Sequence, residues 1–217
     1  MSKEIQLPSS TGTRVDNCDT KSSQIITCEF KGINYQVGVY NPGFWNIDGD
    51  EKYKEVNNCY AYACNIRVRS VISSTERNMP QPDSCSTGNK KPEGTKEFLA
   101  GIKKDGLVSV QDIIDRKAIA PEGSIEHPVW LCAMVYASTL DHSDSSWSYH
   151  CYRQVWDGND KNTVFWAHKM GAGNVERLAK AVNIEKYKTK GFDNFIGYYL
   201  VPPRVMFCIT ETIRVGR

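Results

Sequence analysis

The chain has 217 residues, a net charge of +2, and 40% hydrophobic and 24% charged residues. This length and composition are typical of a folded protein with one sizeable core. The small net charge, without a long run of either sign, gives no electrostatic support for a nucleic-acid partner. No apolar stretch approaches the roughly 20 residues that cross a bilayer, so no membrane span is expected. Residues 1–14 lack the apolar core of a secretory signal, so we expect synthesis in the cytoplasm without a signal peptide.

The first half of the chain predicts two strands followed by short helices. The pattern of residues 24–40 predicts two strands joined by the Lys31-Gly32 turn, and Asn41-Pro42-Gly43 is predicted to end the second strand. Residues 73–95 contain three prolines and two glycines, which predicts a long loop. Helices are predicted from Cys59 to about Ser70, over Thr95–Lys104, and from Ser109 to about Lys117.

The second half of the chain predicts a sheet. The continuous apolar run Val129–Ala137 is typical of a strand that is buried on both faces. Strands at Tyr149–Trp156 and Thr163–His168 flank the polar residues 157–161, which are a hairpin signal. A helix is predicted from Asn174 to about Val182, followed by a closing strand at Phe195–Val201. The pattern favours an α+β fold, with N-terminal helices packed on a central antiparallel sheet, in a single domain over residues 1–217.

Cys59 is the candidate nucleophile because of its position at a helix start. Asn58 is a good N-cap residue, which makes Cys59 the first residue of the helix. A helix N-terminus lowers the pKa of a thiol, and the thiolate is the reactive form. The same pattern is compatible with a buried structural cysteine, so Cys59 alone does not decide the chemistry.

Two histidines supply the other candidate catalytic groups. If the five-residue turn at 157–161 is symmetric about Asn159, His150 lies directly opposite His168 on one face of the hairpin. Opposed residues have Cβ atoms roughly 5 Å apart, close enough for one imidazole to orient the other. A one-residue shift in register would separate them. Two unrelated histidines on a half-exposed hairpin are the alternative, with His142 as the substitute base.

The order of these residues resembles that of the NlpC-type papain-like cysteine peptidases. Those enzymes have a helix-start cysteine, then a strand histidine, then a histidine or another polar residue one strand later. The resemblance covers roughly residues 53 to 201 and implies a papain-like fold, with Cys59 as nucleophile, His150 as base and His168 as the third group. No metal or cofactor is implied. Residues 1–45 would be an N-terminal strand extension.

The resemblance also has clear departures and further implications. The family usually has an Asp-Cys-Ser-Gly type of motif, whereas this chain reads Asn58-Cys59-Tyr60-Ala61, and residues 73–95 are an inserted loop. The implied activity is hydrolysis of an amide bond, mostly in peptidoglycan peptides. Tyr53, upstream of the helix, is a candidate oxyanion donor beside the Cys59 backbone N–H. Candidate substrate-binding residues are Trp147, Tyr152 and Trp166.

Several functions remain open at this stage. A hydrolase without a secretory signal is expected to reach the periplasm or cell wall through a dedicated secretion system, as an antibacterial effector, or on lysis, as a lysin. Its partners would then be a secretion-system carrier and a cognate immunity protein. The alternatives are a deamidase or protease toxin acting on host proteins, and an inactive module that binds glycan or peptide. A structural metal site using Cys59 or Cys151 with the histidines is a further alternative, although none of the eight cysteines forms a CxxC pair.

Overall fold

The structure is a computed structural model that describes residues 5–6, 10–12, 22–47, 53–67, 79–87, 90–137, 147–179, 182–188, 191–203, 205, 207–209 and 212–213. The described strands are β1 (Ile5–Gln6), β2 (Ser10–Gly12), β3 (Ile25–Phe30), β4 (Ile33–Val39), β5 (Val108–Ser109), β6 (Trp130–Ala137), β7 (Ser148–Trp156), β8 (Val164–Lys169), β9 (Val175–Arg177), β10 (Asn194–Val201), β11 (Phe207–Ile209) and β12 (Thr212–Ile213). The described helices are a 3-10 turn (Ser22–Gln24), α1 (Pro42–Trp45), α2 (Tyr53–Val56), α3 (Cys59–Cys64), α4 (Ser84–Thr87), α5 (Thr95–Lys104) and α6 (Val110–Ile114). The predicted α+β class is confirmed.

The central sheet is mixed, so the prediction of an antiparallel sheet is wrong. Among the described strands its order is β5-β10-β6-β4-β7-β8-β9, and β3 pairs with β4. Strand β4 pairs antiparallel with β3 but parallel with β6 and β7, with Gln36 beside Trp130 of β6 and Gly38 beside Val155 of β7. It lies between the first residues of β6 and the last residues of β7. Further along, β6 and β7 pair directly and antiparallel. The 1–45 region thus contributes a central strand, because β4 is buried along most of its length.

The helices are shorter than predicted, except for one. The prediction of a helix over Thr95–Lys104 is confirmed by α5. Helix α3 ends at Cys64 because Asn65 adopts a left-handed conformation, with φ 53° and ψ 40°, and its N–H closes on the carbonyls of Ala61 and Tyr62. Asparagine tolerates this conformation better than most residues, so it ends a helix in the same way as glycine. Local capping therefore ends the helix before the predicted boundary.

Two other predicted segments differ from the structure. Residues 84–87 form α4 inside the predicted loop at 73–95, of which residues 73–78 and 88–89 lie outside the described part. The helix predicted from Asn174 to about Val182 is wrong, because Val175–Arg177 form β9. This short strand pairs antiparallel with β8 and places Glu176 beside His168. The pairing satisfies backbone hydrogen-bonding groups at the edge of β8, and these hydrogen bonds outweigh the local helix propensity of residues 175–177.

Both faces of the central sheet are covered by apolar side chains. Tyr149 and Cys151 of β7 point into a cluster that includes most residues of α3 and the buried residues Phe98 and Ile102 of α5. The alternate residues Tyr152 and Trp156 point into a second cluster on the opposite face. Among the described residues, no helix has the length and apolarity needed to span a membrane.

Candidate active site

The Asn58 side chain builds the start of α3. Its Oδ1 accepts hydrogen bonds from the backbone N–H groups of Tyr60 and Ala61, at 3.1 and 3.0 Å. Its Nδ2 donates to the carbonyl of Pro80 at 2.7 Å, which ties the helix start to the segment before α4. The predicted N-cap is confirmed, and Cys59 is the first residue of the helix, 6% exposed.

The rings of His150 and His168 contact each other, as predicted. The distance between His150 Nε2 and His168 Nδ1 is 2.8 Å, and both side chains are buried. The ring centroids lie 5.0 Å apart with an interplanar angle of 87°. This geometry permits a hydrogen bond whose direction depends on which ring nitrogen carries the proton.

The predicted hairpin register is wrong by two residues. His168 pairs with Tyr152, so His150 is its diagonal neighbour. The turn is longer than predicted, because Asp157 Oδ1 accepts hydrogen bonds from the backbone N–H groups of Asn159 and Asp160. A shift of two residues preserves the face to which each side chain points, whereas a shift of one would reverse it. The two histidines therefore stay on one face and still meet.

The pKa of the Cys59 thiol is well below its usual range. The largest cause is a hydrogen bond with the Cys151 side chain. The charge of His150 and a hydrogen bond with its ring lower the pKa further. The Cys151 backbone N–H also stabilises the thiolate, while burial opposes it. The pKa of Cys151 is raised well above the usual value, mainly by burial and then by the hydrogen bond to Cys59, so Cys151 remains a protonated donor.

Cys59 interacts with two consecutive residues of β7. Consecutive residues on a strand point to opposite faces, yet His150 and Cys151 both interact with this one thiol. A strand N–H points within the plane of the sheet, toward a neighbouring strand. The pairing of β7 with β8 extends from Trp156 to Tyr152 and stops before Cys151. We infer that Cys59 occupies the open side of β7 at this point, where both neighbours reach it.

The three groups form one chain of polar contacts. Since His150 Nε2 faces His168, the nitrogen of His150 that remains for the Cys59 thiol is Nδ1. A protonated His150 can donate from both nitrogens, to the thiolate and to His168 Nδ1. The arrangement has the groups that an activated thiol nucleophile needs: a thiol with a lowered pKa, an imidazole that contacts it and a second group that orients this imidazole.

The predicted substrate-binding aromatics do not form one surface. Tyr152 is fully buried, and its ring centroid lies 4.9 Å from His150 and 5.2 Å from His168, so it packs against both imidazoles. Trp166 is buried on the same face and stacks on Tyr198. Trp147 keeps partial exposure and packs beside Tyr149. Of these three residues, Trp147 is therefore the best placed to meet a ligand.

Two further predictions fall outside the described part of the chain. Tyr53 begins α2, but its side chain is not among those described, so its role as an oxyanion donor stays a prediction. His142, the substitute base, lies in residues 138–146, which are also outside the described part.

The cysteines take different roles. The free thiols among the described residues are Cys28, Cys59, Cys64, Cys132 and Cys151. Cys85, in α4, forms a disulfide bond. In the described ranges, no three His, Cys, Asp or Glu side chains are arranged to hold a metal ion.

Sequence reasoning did not identify two residues of the site, Cys151 as a partner of the thiol and the buried Lys169. Each follows one of the two predicted histidines in the chain. Strand alternation places such residues on the opposite face, and in this sheet α3 packs on that face. The predicted histidine strands already place Cys151 and Lys169 on one face of the sheet. That this face lies near Cys59 depends on where α3 packs.

Comparison with known proteins gives little further guidance. No protein-family model matches the sequence, and no solved structure matches the fold. Among curated proteins, the chain is 26% identical over 169 residues to insoluble matrix shell protein 1 of Ruditapes philippinarum. That similarity covers 76% of this chain and 90% of the shell protein.

Proposed function

We propose that this protein is a papain-like cysteine hydrolase that cleaves an amide bond through a covalent intermediate on Cys59. The observation that carries the proposal is the polar chain from Cys59 through His150 to His168, with 2.8 Å between the two imidazoles. The low pKa of the Cys59 thiol supports a reactive thiolate. The burial of both histidines supports a fixed orientation, because neither ring is free to rotate into solvent.

The proposed reaction has two steps, the formation and the hydrolysis of a thioester on Cys59. The Cys59 thiolate attacks the amide carbonyl carbon, and His150 gives a proton to the departing amine, leaving a thioester on Cys59. His150 then takes a proton from water, whose oxygen attacks the thioester and releases a carboxylic acid. His168 holds the His150 ring throughout. The Cys59 backbone N–H, at the first position of α3, is one donor for the oxyanion, and Tyr53 is the proposed second donor.

The proposed substrate is an amide in a peptidoglycan peptide. The support is the resemblance of Cys59, His150 and His168 to the triad of NlpC-type peptidases. The Cys85 disulfide supports work outside a reducing cytoplasm, as expected of an antibacterial effector or a lysin. A secretion-system carrier and an immunity protein remain proposed partners. Action on host proteins, as a deamidase or protease, is the alternative within the same chemistry.

Selective alkylation tests the reactive thiol. The full-length protein is treated with iodoacetamide at several pH values, and the modified cysteines are identified by peptide mass spectrometry. We expect Cys59 to react at pH 6, where ordinary thiols are largely protonated. Cys132 is the matched comparison, because it is also buried in the same cluster and burial raises its pKa. Labelling of Cys59 that begins only near pH 8.5 would contradict the proposal.

Digestion of purified cell walls tests the substrate. Analysis of the released muropeptides should show cleaved peptide amides with the wild-type protein and none with Cys59→Ser. In cells, export to the periplasm of a Gram-negative host should cause lysis or rounding, whereas cytoplasmic production should be tolerated. Equal toxicity of wild type and Cys59→Ser would reject the enzymatic account. Toxicity confined to the cytoplasm would instead favour a deamidase or protease that acts on host proteins.

The second candidate is a non-catalytic module that binds glycan or peptide, and the similar curated protein is named as a matrix component. In this account the thiol is structural, which its burial permits. Sedimentation with insoluble peptidoglycan and with chitin separates the two candidates. A binding module should co-sediment equally well as wild type and as Cys59→Ser, without release of fragments. Fragment release that requires Cys59 would exclude it.

A further inference from the structure

Lys169 is a buried cation at the end of β8. Its side chain is 0% exposed, and its Nζ donates hydrogen bonds to the carbonyls of Lys54 at 2.5 Å and of Gly171 at 2.7 Å. Two neutral carbonyls hydrogen-bond an ammonium but do not neutralise it. An unpaired buried charge is costly, so a lysine in such a place calls for an opposite charge nearby.

Among the described residues, Cys59 is the neighbour whose negative charge acts on Lys169. Burial lowers the pKa of Lys169 to about 8, and the neighbouring Cys59 acts in the opposite direction, which is the sign expected of a thiolate. Lys169 follows His168 in β8, so its side chain points to the opposite face of the sheet, on the side covered by α3. At neutral pH the Lys169 amine is mainly protonated.

Lys169 also holds the segment that leads to Cys59. The carbonyl that accepts its hydrogen bond belongs to Lys54 in α2, and Asn57 and Asn58 are the only residues between α2 and α3. The other carbonyl, of Gly171, lies just beyond β8. The ammonium therefore joins the end of β8 to the approach to α3.

We propose that Lys169 is a positioning residue of the Cys59 site, a second cation that favours the Cys59 thiolate and fixes the approach to α3. This inference rests on the proposed role of Cys59 as the reactive thiol. His150 carries the proton in the reaction, whereas Lys169 acts only through Cys59. Within the described residues, the titratable groups that face Cys59 are His150, Cys151 and Tyr149 from β7 and Lys169 from β8, and Lys169 also faces Lys54 from α2.

The pH profile of Cys59 alkylation tests this role in the full-length protein. Lys169→Met removes the charge and both hydrogen bonds, Lys169→Gln keeps a donor without the charge, and Lys169→Arg keeps the charge. We expect Lys169→Met and Lys169→Gln to raise the pH midpoint of Cys59 alkylation by about one unit. At a pH below the midpoint, this shift corresponds to about tenfold less thiolate than in wild type. We expect Arg to restore most of the difference. Lys103→Met, the same change at an exposed site in α5, should leave the midpoint unchanged.

The outcomes separate this inference from the proposed function. Unchanged midpoints in both Met and Gln variants would overturn the role of Lys169, whatever the wild-type value. A wild-type midpoint near 8.5 would instead contradict the reactive thiolate, and a difference between wild type and Lys169→Met would still support the coupling.

A reciprocal measurement does not depend on the folding of any Lys169 variant. Coupling between two titrating groups is mutual, so removal of the thiolate must act on the lysine. With ¹³C-labelled lysine, an NMR titration should show that the pKa of Lys169 is lower in Cys59→Ser than in wild type. An equal Lys169 pKa in the two proteins would overturn the proposed coupling.

Discussion

Asn58→Ala should destabilise the protein more than the loss of an ordinary helix cap. The substitution removes two capping hydrogen bonds to α3, a loss that costs about 1 kcal/mol in other helices. It also leaves the buried carbonyl of Pro80 without its Nδ2 donor, which adds about 1–2 kcal/mol. A total of about 2–3 kcal/mol corresponds to a fall in Tm of about 5–10 °C for a chain of this size.

Thermal and urea unfolding, followed by circular dichroism, measure this effect against a matched cap. Ser109 caps α6 with a hydrogen bond of 3.3 Å from the Asp112 N–H, and it lacks a second, buried partner among the contacts described. Ser109→Ala should therefore cost only about 0.5–1 kcal/mol. An equal or smaller loss of stability for Asn58→Ala would refute the proposed contribution of the Pro80 contact.

Asn58→Asp separates the cap from the donor. Its carboxylate retains the capping acceptor but cannot donate to Pro80, so we expect a loss of stability between those of wild type and Asn58→Ala. The new negative charge beside Cys59 should also raise the thiol pKa and slow alkylation at pH 6. An alkylation rate equal to that of wild type would show that charge at this helix start does not reach the thiol.

Three further outcomes are expected. His150→Ala should abolish hydrolysis, whereas His168→Ala should leave a residual rate and His168→Gln a higher one, because the base moves the proton and the third group only orients the base. The values of kcat/KM on a peptide amide measure this order. If His168→Ala lost more activity than His150→Ala, the roles of the two histidines would be exchanged. Asp105 has a pKa raised to about 6, mainly by burial, from 3.8. The folded form thus holds a proton that the unfolded form releases, and stability from this group falls as pH rises from about 4 to about 6. Asp105→Asn should gain stability over wild type at pH 8 but not at pH 4, and urea unfolding that shows the same difference at both pH values would contradict this. Gly101→Ala should lower Tm although alanine has the better helix propensity, because the new Cβ would lie 2.8 Å from Pro82 Cβ. A raised Tm would show that this clash does not occur.

The elements that the sequence predicted well are those set by neighbouring residues. Asn58 caps the helix that begins at Cys59, because a side-chain acceptor satisfies N–H groups two and three residues away. Helix α5 and the strands around the two histidines follow from local hydrophobic periodicity. The contact between His150 and His168 was predicted despite an error in register, because a shift of two residues keeps both side chains on the same face.

The tertiary structure decided what depends on distant segments. The place of β4 between β6 and β7, and hence the mixed sheet, follows from which strands have backbone groups left to pair. The strand β9, predicted as helix, exists because β8 offers it an edge. The interactions of Cys59 with Cys151 and Lys169 depend on how α3 packs against β7 and β8. Periodicity reports which face of an element is buried, but not what packs on that face, and the chemistry of this site depends on the latter.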